Sequence, residues 1–137
     1  MSMTVPHAGA NPLDVLKGDV TAFSKVLERL LESEMASFQG FSGQYGLYED
    51  AAAILDNLRA GTGAIIAGLD SVTITGLPLQ ARLVDAQFDE LDRLVTVAEL
   101  RGAANTSGDL LAKLHQWIAL LRGWVAAIER QLEALAA

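Results

Sequence analysis

The sequence predicts an all-α fold, an antiparallel (up-down-up-down) four-helix bundle with short loops. Apolar residues recur at alternating intervals of three and four residues along four segments, and each segment has the length of about five to eight helical turns. A mean spacing of about 3.5 residues is typical of left-handed bundles. The 137 residues suit one domain. We therefore expect a flexible N-terminal tail over residues 1–10 and a single bundle domain over residues 11–137.

The first helix is predicted to begin after Asn11, because asparagine is a good N-cap and Pro12 suits the first helical turn. Its stripe predicts a helix of about 26 residues. The glycine-rich segment 40–46 (GFSGQYG) then predicts a loop. The apolar positions of this helix are Leu13, Leu16, Val20, Phe23, Leu27, Leu30, Met35 and Phe38.

The second helix is predicted to begin near Tyr48 and to run to Val72. Gly61 and Gly63 lie inside its pattern, and each costs up to about 1 kcal/mol relative to alanine in a helix. Either the helix breaks there, or a neighbouring helix packs so closely that only glycine fits. The stripe consists of Ala51, Leu55, Leu58, Thr62, Ile65, Leu69 and Val72.

Two more helices follow. Residues 71–78 (SVTITGLP) predict an extended connector, and Pro78 opens the third helix. Residues 101–109 (RGAANTSGD) predict a loop, with Ser107 or Asp109 as the cap of a fourth helix that runs to the C-terminus. The stripe of the third helix is Leu77, Ala81, Val84, Phe88, Leu91, Val95 and Ala98. That of the fourth is Leu111, Leu114, Ile118, Leu121, Val125, Ile128, Leu132 and Leu135.

The net charge of −7 disfavours binding to nucleic acid or to anionic membranes, because no cluster of basic residues offsets it. The acidity is uneven: residues 106–137 carry three acidic and three basic residues and are neutral. The N-terminus lacks the basic start and apolar run of a signal peptide. Cysteine is absent, which excludes disulfides and thiolate metal sites. We expect a soluble, cytoplasmic protein.

Catalytic motifs are missing from the sequence. It contains no Glu-x-x-His, no His-Glu-x-x-His and no Gly-x-Ser-x-Gly. His115 lies beside an apolar stripe and is interpreted as a boundary residue. Asp85, Asp89 and Asp92 share one helix face, where they either bind a divalent cation or form a solvated face paired with Arg82 and Arg93. The solvated face is favoured, so we predict no metal. Because the catalytic motifs are missing, we also predict no enzyme activity and no cofactor.

The segment 116–124 (QWIALLRGW) carries both tryptophans, seven residues apart and therefore on one flank of the last stripe. A flank position lets the indole ring pack while its N–H meets water or a partner. Phe41 and Tyr45 either cap one end of the bundle or form a small recognition loop. The predicted partner-binding residues are Trp117, Leu120, Gly123, Trp124, Phe41 and Tyr45.

The segment 47–58 (LYEDAAAILDNL) resembles the "LYDGA" helix start of the flagellin export chaperones, which are small acidic helical bundles. The likeness covers about a dozen residues, and here a long helix precedes it where that family has a short segment. The resemblance implies a role similar to that of a secretion chaperone or an adaptor.

These observations lead to one hypothesis and two alternatives. The hypothesis is a non-enzymatic protein-interaction module that binds a partner chain or itself through the C-terminal helix. One alternative is a bundle that binds a small molecule or a metal, for which a cavity lined by Thr62, Phe88 and Trp117 would be evidence. The other is an acidic inhibitor that mimics nucleic acid, which requires carboxylates spaced like phosphates along one face.

Overall fold

The computed structural model describes residues 11–136, and these form helices and turns without any strand. The all-α prediction is therefore confirmed for this part of the chain. The tail predicted over residues 1–10 lies outside the described residues. The α-helices are α1 (Pro12–Glu32), α2 (Glu34–Ser42), α3 (Tyr48–Asp70), α4 (Leu77–Ala98) and α5 (Ala104–Ala136). A 3-10 turn spans Gly43–Tyr45, and a wide π-helical turn, called the junction below, spans Glu99–Ala103.

Helix α1 starts as its sequence predicts. The Asn11 side chain accepts a hydrogen bond from the backbone N–H of Leu13 at 2.8 Å, and Pro12 occupies the first turn. The cap satisfies one of the backbone donors that a helix N-terminus leaves free. The predicted stripe is buried from Leu16 to Leu30.

The prediction of one continuous helix to Phe38 is wrong, because the helix breaks at Ser33. Its backbone leaves the helical region (φ −113°, ψ −94°), and α2 begins at the next residue. The Ser33 hydroxyl donates to the carbonyl of Arg29 at 2.9 Å, which is a hydrogen bond that bends helices. Met35 and Phe38 are nevertheless fully buried, so the apolar pattern continues across the break.

Helix α3 is continuous through both of its unusual glycines. A Cβ atom on Gly61 would lie 2.7 Å from Cγ2 of Val84, so α4 approaches α3 closely there. A Cβ atom on Gly63 would meet nothing within 4 Å. Close packing therefore explains Gly61 and not Gly63. A second close approach, which the sequence analysis missed, is at Gly68, whose Cβ would lie 2.6 Å from Leu77.

The connectors differ in how well they were predicted. The connector predicted to be extended forms turns at residues 71–72 and 75–76, and Pro78 lies in the first turn of α4 as expected. The loop predicted over residues 101–109 is wrong, because this segment is mostly helical. The chain turns at Gly102, where φ is +108°, and bends again at Ser107 inside α5. Glycine suits Gly102 because side chains disfavour this backbone region.

The long helices pack in a ring, in which α4 contacts α3 and α5, and α1 also contacts α3 and α5. The ion pairs between α4 and α5 follow opposite orders along these two helices. Between α4 and α5, Arg82 pairs with Glu129 at 3.2 Å, whereas Asp92 pairs with His115 at 2.6 Å. The buried side chains of all five helices form one core.

Candidate interaction surface

Helix α5 presents one buried side and one exposed side. The predicted stripe is buried from Leu111 to Leu132, which confirms it, while Leu135 is half-buried. The remaining candidate residues on this helix are not part of the stripe. They divide into two tryptophans at its border and two residues on the opposite side.

Both tryptophans lie on the border of α5 that faces α1, and both are half-buried. Trp124 packs its ring edge-to-face on Phe23, with ring centres 5.6 Å apart, an arrangement favoured by the aromatic quadrupole. Trp117 lines a cleft of about 230 Å³ together with Val26, Leu30 and residues of the break at Ser33. The tryptophans therefore join α5 to α1 and keep part of each ring at the surface.

The side of α5 that points away from the core has small, uncharged residues around one large apolar side chain. Leu120 is 60% exposed, and a Cβ atom on Gly123 would meet nothing within 4 Å. At about 100° per residue, these two positions share one face with several others. We call this set the α5 outer face: Ala112, Gln116, Ala119, Leu120, Gly123 and Ala127.

Two charged side chains of α5 that flank the outer face, Arg122 and Lys113, are engaged by other helices. Arg122 donates to both carboxylate oxygens of Asp85, at 2.9 and 3.1 Å, and to Asp89 at 3.1 Å. Hydrogen bonding to Asp85 raises the pKa of Arg122, and the Asp89 charge adds to this shift. Lys113 is 3.2 Å from Glu34 of α2. None of the six residues of the α5 outer face is charged, while the exposed Asp109 and Arg130 lie one turn beyond its two ends.

Phe41 and Tyr45 belong to a separate aromatic cluster. Phe41 lies edge-to-face between Phe38 and Tyr45, with ring centres 5.5 and 6.3 Å away. Both side chains are half-buried against the core. The ring contacts found for them are with Phe38 and with each other, not with the tryptophans. Their arrangement favours the capping interpretation of the sequence analysis over the recognition loop.

The aspartates of α4 are occupied by side chains of α5. Arg122 binds two of them, and His115 binds Asp92. The partners expected from the sequence, Arg82 and Arg93, bind glutamates instead. In residues 11–136, no group of three His, Asp or Glu side chains is arranged to hold a metal ion.

The cavity that would have favoured the small-molecule alternative is not formed by its three expected residues. Thr62 is buried and donates its hydroxyl to the carbonyl of Leu58 at 2.8 Å. Phe88 is fully buried and packs edge-to-face on Phe23. Trp117 lies instead at the cleft between α1 and α5.

Sequence reasoning missed the surroundings of His115. This side chain is 29% exposed, and its two ring nitrogens face two carboxylates, Asp92 at 2.6 Å and Glu99 at 2.9 Å. Its place at the edge of the stripe indicated only a boundary position. The two acids lie on α4 and on the junction, which only the packing brings to the same ring.

Comparison of the chain with protein families, with curated proteins and with solved structures finds no match. None of the helices in residues 11–136 combines the length and the apolar character needed to cross a membrane.

Proposed function

We propose that this chain is a non-enzymatic protein-interaction module, similar to a chaperone, adaptor or secretion-accessory bundle, that binds through α5. The single observation that carries the proposal is the α5 outer face, an uncharged surface centred on the exposed Leu120 in a chain of net charge −7. Exposed apolar surface of this kind is more common at binding sites than elsewhere. The partner is another protein chain or a second copy of this one, and binding takes place in the cytoplasm. We do not expect the partner to be a nucleic acid or a membrane.

The module we infer is an antiparallel, up-down-up-down four-helix bundle. The opposite order of contacts between neighbouring helices supports this arrangement. Along α3 and α4, Gly61 lies against Val84 and Gly68 against Leu77. Along α1 and α5, Phe23 packs on Trp124 while Glu34, just after α1, pairs with Lys113.

The composition of the α5 outer face suits a partner helix. Alanine and glycine side chains let another backbone approach within about 8–10 Å, the usual distance of packed helices. Leu120 would then insert between the partner's side chains, and the exposed parts of Trp117 and Trp124 would border the contact. Aromatic residues of this kind supply much of the binding energy at many interfaces. Arg122 and Lys113 already have acidic partners, so a partner helix that covers the face from Ala112 to Ala127 leaves these charges paired. The exposed Asp109 and Arg130 lie one turn beyond the ends of that contact.

The test places a charge on the α5 outer face and a matched charge elsewhere. Leu120→Glu should abolish self-association or binding of a partner, because burying the carboxylate at a contact centre costs at least about 2 kcal/mol, or roughly 30-fold in affinity. Leu79→Glu on α4 is the control, since Leu79 is 58% exposed and Leu120 is 60% exposed. Molar mass by light scattering over a wide concentration range measures self-association. Affinity capture from the native cell measures partner binding.

The proposal is supported if Leu120→Glu reduces the molar mass or loses a captured protein that Leu79→Glu retains. It is rejected if the parent is monomeric throughout and both variants capture the same proteins. Circular dichroism must show equal helicity for the three proteins, since neither leucine is part of the core.

A further inference from the structure

The side chain of His115 bridges two parts of the fold. Its Nδ1 is 2.6 Å from a carboxylate oxygen of Asp92 on α4, and its Nε2 is 2.9 Å from a carboxylate oxygen of Glu99 in the junction. The two acids are seven residues apart in sequence and lie on opposite sides of one imidazole ring. Both distances are those of strong hydrogen bonds.

This geometry requires a particular protonation state. A neutral imidazole has one N–H and one lone pair, so it can donate to only one of the two acids. Its other nitrogen would direct a lone pair at a negatively charged oxygen. The imidazolium form has two N–H groups and satisfies both contacts. At pH values where carboxylates are ionised, above about 5, both bonds therefore exist together only when His115 is charged.

The contact to Glu99 holds the segment where the chain reverses from α4 into α5. Gly102 in the junction has φ of +108°, and Leu100 is 83% exposed. Leu100 adds little packing because so much of it faces solvent. Arg101 of the junction donates to the backbone carbonyl of Tyr45. Ala103 is buried in the core, so the polar contacts of Glu99 and Arg101 hold the part of the junction that precedes it.

We propose that His115 is a pH-dependent clamp that fixes the junction when charged and loosens it when neutral. Loss of the proton removes one of the two hydrogen bonds and sets the freed nitrogen against a carboxylate. The Glu99–Ala103 segment then opens more often, while the buried stripes of α4 and α5 stay packed. The proposal concerns local opening and is independent of the interaction function proposed for the α5 outer face.

Three cations on the elements around His115 have partners of their own. Within the described residues, the ion pairs of His115 involve Asp92 and Glu99. The neighbouring groups are Lys113, which pairs with Glu34 of α2; Arg122, which pairs with Asp85 and Asp89 of α4; and Arg101, which binds the Tyr45 carbonyl. The two acids thus dominate the field at the imidazole ring.

The pKa of His115 is shifted in the direction that the clamp requires. Burial disfavours the imidazolium, but the hydrogen bonds that its ring donates to Glu99 and Asp92 together outweigh this effect, and the pKa of His115 is raised above its ordinary value of 6.5. A raised pKa in the folded state stabilises that state fully below the ordinary value. The stabilisation is lost as pH rises through the folded-state pKa. The junction should therefore be held in mildly acidic solution and released in alkaline solution.

Hydrogen exchange of the whole chain, read by mass spectrometry on peptides covering residues 96–108, tests the clamp. Protection factors, corrected for the intrinsic rate at each pH, should fall in this segment between about pH 6 and about pH 9, on either side of the histidine titration. By linkage, the fold-loss should equal the value calculated for these two pH values from the His115 acid dissociation constants of the open and closed forms. The closed-form constant comes from NMR titration of the parent, and the open-form constant from Glu99→Gln, which removes the junction contact and leaves Asp92 on the packed α4.

Two histidine variants separate the clamp from a general effect of pH. His115→Gln should make protection in residues 96–108 independent of pH over this range, because glutamine does not titrate. His7→Gln, at the other histidine of the chain, should retain the parent's dependence. The clamp is overturned if His115 titrates at or below its ordinary value, or if His115→Gln keeps the full pH dependence. It is equally overturned if the fold-loss differs from the value calculated from the two measured dissociation constants.

Discussion

Gly61 and Gly63 lie two residues apart in the same helix, but alanine should have opposite effects at the two positions. Alanine in a helix interior is more stable than glycine by about 0.5–1 kcal/mol. Gly63→Ala should raise the free energy of unfolding by this amount, because its new Cβ meets nothing within 4 Å. Gly61→Ala gains the same propensity but places its Cβ 2.7 Å from Cγ2 of Val84, well inside the usual contact distance of about 3.5–4.0 Å.

Val84 cannot easily move away from the new methyl group. It is buried, with 1% exposure, and its branched Cβ makes the side chain stiff about χ1. Overpacking of this kind costs about 1–3 kcal/mol. After subtraction of the propensity gain, Gly61→Ala should be between neutral and about 2.5 kcal/mol less stable than the parent. The two variants should then differ by about 1–3 kcal/mol, the overpacking cost itself.

Urea denaturation followed by circular dichroism measures the free energy of unfolding of each variant. A double-mutant cycle with Val84→Ala isolates the clash, because this change removes the methyl group that the new Cβ would meet. Gly61→Ala should lower the free energy of unfolding less in the Val84→Ala background than in the parent. Equal stabilisation by Gly61→Ala and Gly63→Ala would refute the close approach of α3 and α4 at this point. If the cycle shows no coupling, any loss of stability in Gly61→Ala does not come from the contact with Val84.

Two further predictions concern the carboxylates and the junction. Calorimetric titration with Mg²⁺, Ca²⁺, Mn²⁺ and Zn²⁺ should show no binding tighter than about millimolar, because Arg122 and His115 occupy the aspartates of α4; a micromolar constant abolished by Asp89→Ala would contradict this. Gly102→Ala should lower the thermal midpoint of unfolding by a few degrees, since a side chain at φ of +108° costs about 1 kcal/mol or more. The control Gly108→Ala should not lower the midpoint, and equal midpoints for the two variants would exclude strain at Gly102.

The features that sequence reasoning predicted correctly are those decided within a few residues. The cap at Asn11 depends on a side chain and the backbone N–H two residues later. The stripes depend on the helical repeat, which places apolar residues on one face whatever that face packs against. For this reason the all-α class, the start of α1 and the buried positions of α5 agree with the structure.

The errors occur where two local preferences compete. At Ser33 the apolar pattern favours a continuous helix, while the hydroxyl group offers the Arg29 carbonyl another donor. In residues 101–109 the glycine, asparagine and serine content predicts a loop, yet most of the segment is helical and Gly102 provides the turn. The amino-acid sequence indicates both a preference for helix and a preference for a break or loop, but it does not determine which one prevails.

By itself, the sequence determined the helical class, the apolar faces, the acidic balance and the neutral C-terminal segment, because each depends on residues close together along the chain. Only the tertiary structure decided which glycine faces a neighbouring helix, and which carboxylates bind Arg122 and His115. It also decided that Leu120 is exposed while Trp124 packs on Phe23. These features depend on side chains from different helices meeting at a few ångströms. Helix spacing and rotation set that distance, and the periodicity of one helix contains no information about its neighbour's position.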